Sequence, residues 1–286
     1  MVRREDAQTI RCRFCGWAGV LKAGWRCNRK CRKQRYRCLC CKRRFVEDNG
    51  FLRLCHRPNT VTKCLDLYFS GLGSWKVVQY IRRHHRVRLS RMSVCRWARR
   101  FGRKVYSFTE CFPLNPRKRN LHCDEKRPKV RRKESYLWLM AFGSPHFVAE
   151  SNLTRDKDWE RPQSMFSDLR KRLLSPPPKI VTDGLGQYNS CEKFFHNVST
   201  HVVYRSFRTW PNNNRLERLN GSVADWLRRR GLHRMRSARD ILLGWTVHNN
   251  FVNRHSRLGI TPAEGVGLRL PTEGDAWKGL IELASC

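Results

Sequence analysis

Acidic side chains are scarce in this chain: 23 Asp and Glu stand against 60 Lys and Arg in 286 residues, a formal net charge of +37. That excess is more than solubility requires, and it excludes a protein that keeps clear of polyanions. Long apolar runs are missing too. None approaches the ~20 residues that span a bilayer, and no segment joins a basic n-region to an apolar h-region, so neither a membrane span nor a secretory signal is expected. A disordered basic tail is excluded because 40% of the residues are hydrophobic, enough for a core. The expected setting is the reducing interior of a cell, in association with nucleic acid.

The charge is unevenly placed. Residues 1–120 carry 32 basic and 6 acidic side chains, while residues 121–286 carry 28 and 17. The first part therefore reads as a grip on phosphates and the second as a more ordinary globular unit that must still approach them.

Fourteen cysteines are present, and half of them fall between residues 12 and 41. In a reducing cell, clustered cysteines bind metal more often than they form disulfides. Cys12-x-x-Cys15 and Cys38-x-x-Cys41 are two knuckles whose four thiolates can close a tetrahedron around structural Zn²⁺, as in a zinc ribbon over residues 1–50. Cys27, Cys31 and Cys40 lie among them, and Cys27-x-x-x-Cys31 is an alternative pair. The outer knuckles are preferred because each has a short turn followed by Gly or a basic residue. Arg35, Arg37 and Arg43, interleaved with Tyr36 and Phe45, suit a phosphate backbone.

Residues 51–110 switch to helical periodicity. Leu65, Leu67, Tyr68 and Phe69 open a run that stops at Gly71 and Gly73. Ser74 is a candidate N-cap for a second helix through Trp75, Val78 and Ile81, and a third starts at Ser90 with Val94, Trp97 and Phe101 on its buried face. The opposite face carries Arg91, Arg96, Arg99 and Arg100. Three short helices, the last one basic, describe a helix-turn-helix unit that places a recognition helix in the major groove of double-stranded DNA, although any small bundle in so basic a chain shares the pattern. His84, His85, Cys55 and His56 adjoin it without ligand spacing. Residues 111–119, "CFPLNPRKR", cannot continue a helix and read as a linker.

From residue 120 to 270 the order changes again. "RNLHCDEKR", "SYLWLMAFG" and "HFVAESNL" read as three strands, the last two joined through Gly143, Ser144 and Pro145. A helix follows over "DWERPQSMFSDLRKRLL", interrupted early by Pro162, and then "KIVTDG" gives a buried strand that ends on Asp183. The class is α/β with a mixed sheet. The segment "NNNRLERLNGSVADWLRRRG" is a helix with Leu216, Leu219, Val223 and Leu227 in one stripe and Glu217 beside it. A carboxylate at a buried strand end is costly without a cation. Asp124, Asp183 and Glu217, arriving from a strand, a strand end and a helix, make a site for hard divalent ions, Mg²⁺ or Mn²⁺, of the kind that drives phosphodiester chemistry. Strand alternation turns Glu125 away from Asp124. Arg218 either touches phosphate or packs.

"LHCDE", "IVTDG" and "NNNRLERLNG" together resemble the three acidic motifs of DDE transposases from prokaryotic insertion sequences, whose core is similar to retroviral integrase and ribonuclease H. In this chain 59 residues separate the first two acids and 34 the last two. The stretch "NNFVNRH" before "TPAE" resembles the helical end of such proteins, residues 271–286 forming a C-terminal tail. The resemblance implies a ribonuclease-H-like core, with Asp124, Asp183 and Glu217 as catalytic metal ligands and Glu125 as a neighbour. It also implies binding to terminal repeats, cleavage and joining of DNA, and a homo-oligomer on the two ends. Lys126 and Arg127 depart from it, since a small hydroxyl residue is commoner there. A DNA-binding regulator without catalysis, or a structure-selective nuclease of the same fold, are the alternatives.

Overall fold

The computed structural model describes residues 10–27, 32–46, 48–52, 54–116, 118–143, 146–189, 191–196, 198–204, 214–230, 234–272 and 274–285. Ser144 and Pro145, expected in a turn, and Cys31 lie outside them.

The cysteine-rich segment forms a three-stranded antiparallel sheet of β1 (Val20–Cys27), β2 (Arg32–Cys38) and β3 (Arg44–Val46). Among the described residues its buried core is Cys12, Cys38 and Phe45, with Ile10, Val20, Tyr36 and Cys41 packed against it. So small a core cannot by itself offset the chain entropy of folding, and a metal staple is the usual remedy.

Three helices follow: α1 (Pro58–Phe69), α2 (Ser74–His85) and α3 (Arg91–Thr109). Pro58 opens α1, where its missing N–H costs nothing. Ser74 is the first helical residue of α2 and Gly73 its cap, one position earlier than the sequence suggests. Ser90 caps α3 by accepting from the Ser93 N–H at 3.1 Å. Val94, Trp97, Ala98, Phe101 and Val105 form the buried stripe of α3.

The large sheet is built by β4 (Leu121–Lys126), β7 (Tyr136–Phe142), β8 (Phe147–Thr154), β9 (Lys179–Thr182) and β10 (Thr200–Val203). A small hairpin, β5 (Lys129–Val130) with β6 (Lys133–Glu134), is inserted between β4 and β7. The strand order is β10-β9-β4-β7-β8. β7 runs antiparallel to β4 and β8, and β9 runs parallel to both β4 and β10. A three-strand meander followed by two parallel additions on the other side of the first strand makes the mixed α/β sheet expected from the sequence. Leu137 to Phe142 on β7 are all buried, as a central strand covered on both faces requires.

Helices α4 (Glu160–Arg172), α5 (Asn214–Arg229) and α6 (Met235–Val247) flank the sheet, with α7 (Pro262–Gly265) and α8 (Ala276–Leu283) after them. Pro162 does not interrupt α4. It sits in the first turn, where no intrahelical N–H bond is lost. β8 lies at the edge of the sheet, and the Asn250 amide closes its backbone there: Nδ2 donates to Val148 O at 2.8 Å and Oδ1 accepts from Val148 N at 2.9 Å. Thr261 and Glu264 form a reciprocal capping box on α7. The "NNF" and "TPAE" segments thus have structural work in this fold.

The three N-terminal helices share one apolar core with the sheet. α3 packs along α6 where Gly102 faces Gly244, and a Cβ on Gly102 would lie 2.7 Å from the Gly244 Cα. Phe69 of α1 stacks on Trp277 of α8 with centroids 5.3 Å apart, so the last residues form a packed helix rather than a tail. Arg230 lies over the rings of Tyr68 (4.1 Å) and Trp226 (4.4 Å) and donates to Tyr68 O and Leu72 O at the end of α1. Gly102→Ala forces two helix backbones apart and is expected to destabilise the chain by about 1–3 kcal/mol; urea unfolding checks this, and an unchanged midpoint would contradict the close packing.

Candidate active site

The four sulfurs of Cys12, Cys15, Cys38 and Cys41 lie within 4.8 Å of one another. Cys12 and Cys41 are 3.6 Å apart, as are Cys15 and Cys38. A tetrahedron with Zn–S bonds of about 2.3 Å has edges of about 3.8 Å, so this donor set fits zinc. Strand pairing brings the knuckles together, with Val20 opposite Cys38 at one end of the β1/β2 ladder and Cys27 opposite Arg32 at the other. Cys27 is therefore roughly 20 Å along the strands from Cys38, and Cys40 is exposed outside the cluster.

The second group forms where the pairing of β4 with β9 ends. Leu121 pairs with Ile180 and His122 with Val181. Continued by two residues, that parallel register sets Asp124 level with Asp183. Gly184 turns the chain away from the strand end with φ +86°, and a Cβ there would meet the Val203 side chain at 2.7 Å, so only glycine fits. The Asp183 carboxylate accepts the Leu185 N–H at 3.0 Å, which fixes the turn.

Oxygens of Asp124, Glu125 and Asp183 lie within 4.8 Å of one another. The inclusion of Glu125 corrects the expectation from strand alternation. Asp124 lies within β4, two residues past its last pairing with β9; its Oδ1 accepts the Glu125 N–H at 2.9 Å, and the longer Glu125 side chain reaches the same place. Asp124 is 6% exposed, and its Oδ2 accepts from Asn220 Nδ2 on α5 at 2.7 Å. Burial lifts the Asp124 carboxyl to about 6, with the Asn220 bond opposing and the Asp183 charge adding. Burial lifts Glu125 to about 7, aided by Asp183 and Asp124. Among the described residues, Glu125 Oε2 and Asn220 Oδ1 are buried without a hydrogen-bond partner. Crowded carboxylates with an orphan oxygen fit a divalent cation.

Glu217 sits one turn before Asn220 on α5, but its carboxylate accepts the Tyr204 hydroxyl instead of joining the group. Tyr204 follows β10, its N–H bonded to Thr182 O at 3.0 Å. Burial, then the Glu217 bond and charge, then Asp124 and Asp183 all push its hydroxyl pKa up, so Glu217 and the acidic group flank one phenol. Asn220 and Tyr204 were not singled out in the sequence. Asn220 could have been found by its spacing of three from Glu217, whereas nothing local marks Tyr204.

Of the basic residues, Arg37, Arg43, Arg91, Arg96 and Arg100 are exposed, and Arg35 and Arg99 are half-buried. Arg91 lies 5.9 Å over the exposed Trp75 ring and Arg43 5.1 Å over Phe14. Arg99 donates to Ser237 Oγ of α6 at 3.3 Å and so serves the α3–α6 contact. The hairpin just after Asp124 turns through Arg131 and Arg132, both with positive φ. Among the described residues, no helix is long and apolar enough to cross a membrane.

Because the folded Asp124 and Glu125 carboxyls titrate above their unfolded values, their contribution to stability is present below about pH 4 and is lost as pH rises through 6 to 7. A bound cation reverses that loss. Mg²⁺ or Mn²⁺ should therefore raise the melting temperature clearly at pH 8 and little at pH 5, and Asp124→Asn should abolish the difference. Equal shifts at both pH values would contradict the site.

No protein-family model and no curated protein matches the sequence. Solved structures do resemble the fold. The HTLV-2 integrase catalytic core domain in complex with magnesium, in its trimeric form, has a TM-score of 0.40 at 16% identity, covering 54% of this chain and 97% of that one. The catalytic core domain of BIV integrase has a TM-score of 0.41 at 14% identity, covering 52% and 93%. A chain of the simian T-cell lymphotropic virus intasome has a TM-score of 0.40 at 14% identity, covering 69% and 72%.

Proposed function

We propose that this chain is a metal-dependent DNA-processing enzyme, a DDE transposase that binds the terminal repeats of its own element and cleaves and joins DNA strands. The observation that carries the reading is the meeting of Asp124 and Glu125 of β4 with Asp183 at the end of β9, in a chain of net charge +37. A strongly basic protein has little reason to crowd carboxylates unless they hold cations. Asp124 and Asp183 form the pair on which two Mg²⁺ or Mn²⁺ ions would be held, and Glu217, one helical turn from Asn220, supplies the third side when it leaves Tyr204. Bound there, such ions activate a water or a DNA 3′-hydroxyl and stabilise the departing oxygen.

The chain's own residues do the rest. Asn220 orients Asp124 by holding Oδ2, and Tyr204 parks Glu217 while the site is empty of substrate. Glu125 adds negative charge beside Asp124 and Asp183. The basic hairpin with Arg131 and Arg132 lies beside the acids in sequence and is suited to hold a phosphate backbone. The cysteine cluster folds around Zn²⁺ and presents Arg35, Arg37 and Arg43, and α1–α3 act as the helix-turn-helix with Arg91, Arg96 and Arg100 toward DNA. Two ends must be held together for joining, which calls for a homo-oligomer on DNA.

The test uses labelled DNA from the flanks of the chain's own gene, with Mg²⁺ or Mn²⁺. Wild type should cut and join, Asp183→Asn and Glu217→Gln should bind the DNA but do neither, and Glu125→Gln should retain activity within ~10-fold. Binding without cleavage by wild type under either metal would leave a DNA-binding regulator, and cleavage without joining would leave a nuclease.

A further inference from the structure

Behind the acidic group lies a second cluster with different chemistry. Cys191 and Glu192 sit on a single helical turn, Cys191–Phe195, and His201 is on β10. Their sulfur, carboxylate and ring-nitrogen atoms all lie within 4.8 Å of one another. Cys191 Sγ is 3.8 Å from Glu192 Oε2, and His201 Nδ1 is 3.9 Å from the same oxygen. His201 Nε2 is hydrogen-bonded to Thr182 Oγ1 at 2.9 Å, which fixes the ring with Nδ1 toward the carboxylate. Thr182 Oγ1 also accepts the Gly184 N–H at 3.2 Å, within the turn that carries Asp183.

We propose that Cys191, Glu192 and His201 form a zinc site, with solvent in the fourth position, that braces the strand end bearing Asp183. Ligand separations just under 4 Å contract readily to the edges of a tetrahedron with bonds of 2.0 to 2.3 Å. A thiol and an imidazole select a softer ion than the all-oxygen group near it, so the two sites do not compete for Mg²⁺. The outer hydrogen bond from imidazole to Thr182 is the kind of contact that orients a metal-bound histidine. Cys191 is buried, whereas the side chains of His201 and Glu192 are 15% and 34% exposed, leaving a route for the ion and for the solvent ligand. Burial pushes the Cys191 thiol up to about 12, so thiolate would form there with the ion and not before it.

Zinc content of the full-length protein tests this, measured by atomic emission after gel filtration in zinc-supplemented buffer. Wild type should exceed both Cys191→Ser and His201→Gln by one zinc per chain, while Cys12→Ser with Cys15→Ser loses zinc independently. Glu192→Gln, altered at the most exposed ligand, should keep the fold by circular dichroism and bind the second zinc more weakly. With Co²⁺ in place of zinc, wild type minus Cys191→Ser should give a visible band for a single thiolate ligand. Equal zinc content in wild type, Cys191→Ser and His201→Gln would overturn the proposal, whatever the DNA-processing experiment shows.

Discussion

The parallel pairing of β4 with β9 is the constraint on which the rest turns. It places Asp124, buried within β4, beside Asp183 at the end of β9. Burial and the nearby Asp183 charge raise the Asp124 pKa, so its ionised form opposes folding unless a cation neutralises it. The surrounding structure relieves that conflict only in part. Asn220 satisfies one oxygen of Asp124, Glu125 adds a further carboxylate, and one Glu125 oxygen has no partner among the described residues. Such an arrangement is one that a bound divalent cation would neutralise.

The placement also explains the long-range architecture. α5 must dock against β4 with Asn220 inward, which carries Glu217 to the rim of the site. α3 must lie close along α6, through Gly102 and Gly244, so that the N-terminal helices are fixed against the core. The basic face of α3 is thereby carried on the same packed body as the acidic group, with α8 closing it through Trp277 and Phe69.

Much of this was legible in the sequence, and the failures have physical causes. The cysteine pairs were readable because ligand spacing is a local property, but the choice among seven cysteines needed the β1/β2 register to separate Cys27 from Cys38. Asp183 was readable because a buried strand running into Asp-Gly is a local conflict. Glu125 was misread because alternation fixes where a side chain leaves the strand and not how far its end reaches: Asp124 bends onto the Glu125 N–H, and the longer Glu125 side chain comes within range of the same oxygens. Tyr204 could not be read at all, since its role depends on β10 lying beside β9. Pro162 was overread as a break because its position within the first turn of α4 was not fixed by pattern alone.

The most direct test of the central claim is a crystal of the protein soaked in Mn²⁺ and measured at the manganese absorption edge. An anomalous peak about 2.1 Å from carboxylate oxygens of both Asp124 and Asp183 is the predicted result. A map with Mn²⁺ bound elsewhere on the surface and no peak between these two residues would contradict it, and the crowded carboxylates would then be neutralised by protons alone.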